Sequence, residues 1–111
     1  MIVPVTDATF HELVARAELP VLLDFTATWC PPCRMIVPVL REVAAELAGR
    51  LVVAQLDVDE NPVTARDAGV LGLPTLQLYV GGRAVTQVVG AKPKAALMRA
   101  IGHHLPAAAI V

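Results

Sequence analysis

The chain has two cysteines, Cys30 and Cys33, and both lie in the stretch WCPPC at residues 29 to 33. Two prolines separate them and a tryptophan precedes them. A pair at this spacing suits three chemistries: a structural staple, half of a metal site, or a couple that cycles between dithiol and disulfide. A staple closing so short a loop removes little entropy from the unfolded chain, roughly 2 kcal/mol against about 4.7 for a 100-residue loop. A structural zinc site needs four ligands, and His11, His103 and His104 are the histidines available to complete one. Because His103 and His104 are adjacent, on a helix they diverge by about 100° and make a poor second pair. The redox couple has a positive mechanism. A thiol at the start of a helix meets unpaired backbone N–H groups and the positive end of the helix dipole, and both favour its thiolate. That places Cys30 at the helix start, partly exposed. Cys33, one turn on and deeper, can attack a mixed disulfide formed at Cys30.

This geometry requires a strand that delivers the chain to residue 30 and a helix that leaves from it. PVLLDF (20–25) is a short, nearly all-apolar run of the kind buried on both faces of a sheet. After the cysteines, Ile36, Val37, Leu40, Val43, Ala44 and Leu47 recur at helical spacing, with Arg34, Arg41, Glu42 and Glu46 on the other side and Gly49 as the stop. Pro31 and Pro32 cost that helix little, because its first N–H groups have no intrahelical partner. Pro38, inside it, predicts a kink.

Upstream, Thr9-Phe10-His11-Glu12 matches a capping box opening a short helix to about Ala17. Downstream, LVVAQLDV (51–58) reads as a second buried strand. Asn61-Pro62 reads as a side-chain cap followed by proline at the first helical position, with Gly69 ending that helix. TLQLYV and AVTQVV flank Gly81-Gly82 as a hairpin. Pro93 opens a last helix with Leu97, Met98, Ile101 and Leu105 inward. The order predicts an α/β fold, a mixed sheet with helices on both faces.

The bulk properties narrow the function. A chain of 111 residues fits one domain, with a core over about 6–105 and a tail, PAAAIV, at 106–111. A formal net charge of −1 with scattered Lys and Arg argues against nucleic-acid partners and against an acidic membrane surface. The longest uncharged stretch, 68–82, is broken by Pro74 and four glycines and is too short to span a bilayer. MIVPVTDATF lacks the basic start and apolar run of an export signal, so the cytosol is the expected compartment. There, persistent structural disulfides are rare and catalytic ones are expected.

With these elements in place the sequence resembles the thioredoxin family over about residues 6 to 105, through VLLDFTATWCPPCRMIVPVL, VVAQLDVDENP, GVLGLPTLQLYVGG and VVGA. The resemblance implies the thioredoxin fold, a three-layer α/β/α sandwich with a central mixed sheet of about five strands and four helices. It implies that Cys30 is the nucleophile and Cys33 the resolving thiol. It also implies that Pro74 is a cis-proline facing the disulfide, leaving the backbone of Leu73 and Thr75 free to pair with an extended substrate segment. A proline that merely starts a strand would also fit position 74.

Asp24 corresponds to the family's buried carboxylate. Desolvation should raise its pKa and suit it to proton exchange with Cys33, unless it is a strand-end Asp turned to water. Trp29, Pro31, Pro32, Leu73, Pro74, Thr75, Gly90 and Ala91 form the expected docking surface, with Gly90 allowing close approach of a backbone or simply ending a strand. His11, His103 and His104 are expected to be non-catalytic surface residues.

The implied activity is reduction of disulfides in target proteins, with no bound cofactor. An NADPH- and flavin-dependent thioredoxin reductase would recharge the dithiol, and the working form would be a monomer. The alternatives are the same fold acting as a disulfide oxidase or isomerase, and a non-redox binding subunit using the patch around Trp29. Four departures from the family pattern stand out: Pro31 where glycine is usual, Gln55 in place of a lysine near the buried carboxylate, Thr26 in place of a second tryptophan, and Lys92-Pro93 at the last helix start. The first puts the reduction potential in question. The second should make Asp24 harder to ionise and move the pH dependence of resolution upward.

Overall fold

A computed structural model describes residues 1–106. Its strands are β1 (Ile2–Pro4), β2 (Val21–Thr26), β3 (Val52–Asp57), β4 (Thr75–Val80) and β5 (Arg83–Val89). They form one sheet in the order β1-β3-β2-β4-β5, parallel across β1, β3 and β2, then antiparallel through β4 and β5. Helices α1 (Pro31–Met35), α2 (Val37–Glu46), α3 (Pro62–Asp67) and α4 (Lys94–Gly102) accompany it, with a π-helical turn at His11–Ala15. The remaining residues of the predicted tail, 107–111, lie outside the described residues.

Alternation along the central strands divides the core into two layers. Leu22, Val53, Leu76 and Leu78 pack with Ile36, Leu40 and Val43 at the start and along α2, and with Leu97 and Ile101 of α4. On the other face Val21, Leu23, Phe25, Ala54, Leu56 and Tyr79 pack with Val14 of the π turn and Ala65 of α3. This is the α/β/α sandwich with a five-stranded mixed sheet that the sequence predicts. By the same alternation Asp24 and its register partner Gln55 fall on the α2 face.

The long helix predicted after the cysteines is two helices. It breaks at Ile36, two residues before Pro38, because proline at the second position of α2 has no N–H with which to continue the ladder from α1. The predicted capping box at Thr9 does not form. Thr6 and Thr9 cap each other one turn earlier: Thr6 N–H donates to Thr9 Oγ1 at 2.8 Å and Thr9 N–H to Thr6 Oγ1 at 3.2 Å. Glu12 pairs instead with Arg16, four residues on, at 2.9 Å.

Asn61 occupies the N-cap position of α3 without capping it. The carboxylate of Asp7 does so, accepting from Val63 N–H at 3.2 Å and Thr64 N–H at 2.8 Å, while Asn61 Oδ1 accepts from Asp7 N–H at 2.9 Å. Hydrogen bonds from Thr64 hold the Asp7 carboxyl below its ordinary range. Pro93 caps α4 without a side-chain bond, and Lys94 ties that helix to Glu42 and Glu46 of α2.

The β4–β5 turn fixes the hairpin against the π turn. A Cβ on Gly82 would stand 2.3 Å from the backbone oxygen of Ala15, and its φ is +80°. Gly81 has φ +60° with open space around it. Gly81→Ala is therefore expected to cost about 1–2 kcal/mol, the penalty of a left-handed alanine. Gly82→Ala is expected to cost roughly 1–3 kcal/mol more, since backbone must move as well. Urea midpoints of the two variants measure the difference, and equal losses would contradict the close approach.

Candidate functional site

β2 ends at Thr26, and residues 27–29 carry the chain to Cys30, whose extended backbone (φ −102°, ψ 105°) makes it the N-cap of α1. Pro31 and Pro32 take the first helical positions and have no N–H to offer. The amide of Cys33 therefore serves as the donor to the first sulfur, with N–H to Cys30 Sγ at 3.3 Å. Arg34 N–H bonds Cys30 O at 3.3 Å, and the two cysteines are joined as a disulfide with Cα atoms 5.3 Å apart.

Exposure differs from the sequence expectation. Cys30 is only 4% exposed and Cys33 1%, because Ala27, Val58 and Leu73 close over the pair. What separates the two is the cavity each faces. Cys30 lines an open groove of about 470 Å³ together with Trp29, Pro31, Pro32, Leu71 and Leu73. Cys33 lines a different cleft, about 530 Å³, with Thr26, Val37, Gln55 and Asp57.

The groove is an apolar surface left in water. Trp29 is 63% exposed and Leu71 fully so. The indole N–H donates to Asp59 Oδ2 at 2.7 Å, and Asp57 Oδ1 anchors that loop by accepting from Asp59 N–H and Glu60 N–H. The bond between Leu73 and Pro74 is cis. Pro74 is buried, and its carbonyl accepts from Gly90 N–H at 2.8 Å. Gly90 has φ +96° with nothing near a Cβ, so backbone conformation, not crowding, calls for glycine there.

Thr75 stands opposite Phe25 on one side and Val89 on the other, inside the ladder. It is not free to pair with an extended segment; of the two residues flanking Pro74, Leu73 alone lies ahead of the strand. Thr75 Oγ1 instead holds the preceding loop through Gly72 O. The structure thus gathers Trp29, Pro31, Pro32 and Leu73 around Cys30, while Pro74 and Gly90, joined to each other by a backbone hydrogen bond, do not line the groove. Ala91 is exposed next to Gly90 but does not line the groove. Sequence reasoning missed Val70, Leu71 and Gly72 in the groove wall, although a glycine-flanked apolar pair directly before LP carried that signal. It also missed the support that Asp59 gives the indole.

Asp24 is fully buried in β2, between Gln55 of β3 and Leu76 of β4 in register, which excludes a strand-end aspartate turned to water. Gln55 Nε2 donates to Asp24 Oδ2 at 3.0 Å, and Oδ1 has no partner among the described residues. Burial pushes the carboxyl up to about 6, and the Gln55 hydrogen bond pulls the other way. His11, His103 and His104 are exposed, at the π turn and at the end of α4. Among the described residues, no three His, Cys, Asp or Glu side chains group to hold a metal ion, and no helix is long and apolar enough to cross a membrane.

Comparison with known proteins adds to this geometry. The family model described as Thioredoxin matches residues 1–103. The chain is similar to the thioredoxin of Mycobacterium tuberculosis (strain H37Rv), 52% identical over 104 residues that span 94% of this chain and 90% of that one. It is similar to the thioredoxin of Mycolicibacterium smegmatis, 50% identical over 105 residues, 93% of this chain and 94% of that one. The bifunctional thioredoxin reductase/thioredoxin of Mycobacterium leprae is 50% identical over 104 residues, 94% of this chain but 23% of the longer protein.

Proposed function

The chain belongs to the thioredoxin family and is a thiol–disulfide oxidoreductase that reduces disulfides in proteins; from that premise we propose that Cys30 is the attacking sulfur, Cys33 the resolving one, and Asp24 the group that takes the Cys33 proton. The observation that carries this division is the placement of the two cysteines on different cavities, Cys30 on the apolar groove beside Trp29 and Cys33 on a second cleft that Gln55 and Asp57 help to line.

A target disulfide docks beside Trp29 and Leu73. The Cys30 thiolate, stabilised by the Cys33 amide, attacks one target sulfur, and the other leaves as a thiolate that is protonated from water. Cys33 loses its proton to Asp24, directly or through water, and attacks Cys30 Sγ. The mixed disulfide breaks, the second target sulfur leaves, and the Cys30–Cys33 disulfide forms. Two electrons pass to the target and no bound cofactor takes part.

The oxidised protein must then be recharged. A thioredoxin reductase drawing on NADPH through a flavin is the proposed donor, and the M. leprae relative, whose name joins reductase and thioredoxin in one chain, supports that pairing. A cytosolic, monomeric working form belongs to the same reading, since a reducing pool keeps the pair poised as a dithiol.

Equilibration with glutathione at pH 7 tests the direction of electron flow. A potential of about −270 mV, the value usual for thioredoxins, is expected. A value of about −120 mV would make the protein an oxidant of its partners and overturn the proposed direction.

A further inference from the structure

Another cavity, about 390 Å³, shares no lining residue with the two that hold Cys30 and Cys33. Thr64 and Asp67 of α3, Gln77 and Tyr79 of β4, Ala84 of β5 and the ring of Phe10 line it. Its size lies within the roughly 300–1,000 Å³ of small-molecule sites. We propose that this cavity binds a small organic cation of the amidinium or guanidinium class, a planar group of several N–H donors on an apolar body.

Tyr79 packs on the α3 face of the sheet, and by alternation Gln77 shares that face. Gln77 is 4% exposed, and a buried amide is costly unless it is bonded. Both of its N–H donors are in use, to Ala68 O at 3.0 Å and to Gln87 Oε1 at 2.9 Å. Tyr79 O–H donates to Gln77 Oε1 at 2.6 Å, and burial pushes the phenol up to about 12, so it keeps its proton. The Thr64 hydroxyl donates to Asp7. These side-chain donors are committed inside the protein, and what they leave to the cavity is oxygen lone pairs on Tyr79, Gln77 and Thr64.

Asp67 adds a negative charge. One of its oxygens lies 3.5 Å from Arg66 Nε, but both side chains are well exposed and such a surface pair holds weakly. Among the described residues no Lys, Arg or His lines the cavity. An anion would therefore face a carboxylate and lone pairs, whereas a cation with several N–H groups finds an acceptor for each. A guanidinium presents more N–H donors, in one plane, than an ammonium does. The apolar wall comes from Ala84 and from the rings of Phe10 and Tyr79, which meet edge to face with centroids 5.6 Å apart.

Benzamidine, benzamide and benzoate share a ring and nearly a shape, but near neutral pH they are cationic, neutral and anionic. Titrated into the ¹⁵N-labelled full chain, benzamidine is expected to shift the amide signals of Gln77, Tyr79 and Ala84 to saturation. Benzamide and benzoate are expected to bind about tenfold more weakly or worse, the worth of a lost hydrogen bond to a charged group. Asp67→Asn, a change at an exposed side chain, is expected to weaken benzamidine about fivefold and to leave reduction of a protein disulfide at the parental rate. Equal affinity for the three probes overturns the proposal. So does an Asp67→Asn protein that binds benzamidine as tightly as the parent, as do saturable shifts confined to Trp29 and Leu71, or none at all. If the urea midpoint shows Asp67→Asn to be unfolded, the three probes on the parent chain decide.

Discussion

Cys33→Ser is expected to leave the protein able to attack a target disulfide and unable to release it. Cys30 keeps its groove, its place at the start of α1 and the Cys33 backbone amide, none of which involves the sulfur of residue 33. The first bond therefore still forms. The second requires a thiol held against it, and a well-placed intramolecular group acts at effective concentrations that reach about 10⁵ M or more. External thiols at millimolar levels replace it poorly, so steady-state reduction of a protein disulfide falls by roughly a thousandfold or more. Non-reducing gels of cells expressing the variant should show a ladder of covalent complexes that collapses on adding dithiothreitol. Cys30→Ser should show none. The reverse pattern, with trapping by Cys30→Ser alone, would exchange the two roles.

Asp24→Asn is expected to make the protein more stable and less active at the same time. The sign follows from the direction of the pKa shift. The folded carboxyl titrates at about 6 and a free one at 3.8, so between those values the folded state holds its proton more tightly than the unfolded chain. Stability falls as pH rises through that window, and above about 6 the folded protein bears the full cost of a buried charge, on the order of 3 kcal/mol. Below about 3.8 both states are neutral and the cost vanishes. Asn, never charged and able to accept from Gln55 through its amide oxygen, removes the penalty.

Urea unfolding at pH 8 should then show a gain of roughly 2–3 kcal/mol for the variant, shrinking to near zero at pH 3.5. Resolution of the mixed disulfide should slow by about a hundredfold at neutral pH, the usual worth of a positioned proton acceptor. A gain independent of pH would mean that the buried charge is not its source. Retaining a group that costs stability at working pH is what a chemical role predicts and a packing role does not.

Most of the architecture is legible in the residues because it depends on short-range rules. The all-apolar run before the cysteines becomes the buried β2, the glycine pair at 81–82 becomes the turn between β4 and β5, and proline placement starts α1, α3 and α4. The CxxC spacing sets the two sulfurs one helical turn apart, close enough to bond. Where the local rules misled, a more distant or better-placed partner competed. Thr9 has the right neighbour in Glu12 but is already committed to Thr6. Asn61 stands at the cap of α3, yet a carboxylate 56 residues away in sequence reaches Val63 first.

The sequence by itself determined the reacting pair, the strand and helix that carry it, and the presence of a carboxylate in an apolar strand. Only the tertiary structure decided that Gln55 and Asp24, 31 residues apart, share a hydrogen bond, that Leu71 and Asp59 help form and support the groove beside Cys30, and that each cysteine lines a different cavity. The reason is physical. Backbone preference and side-chain periodicity act over one or two turns of chain, whereas the partner of a buried polar atom is whichever group the sheet register and the layer packing bring within about 3 Å of it.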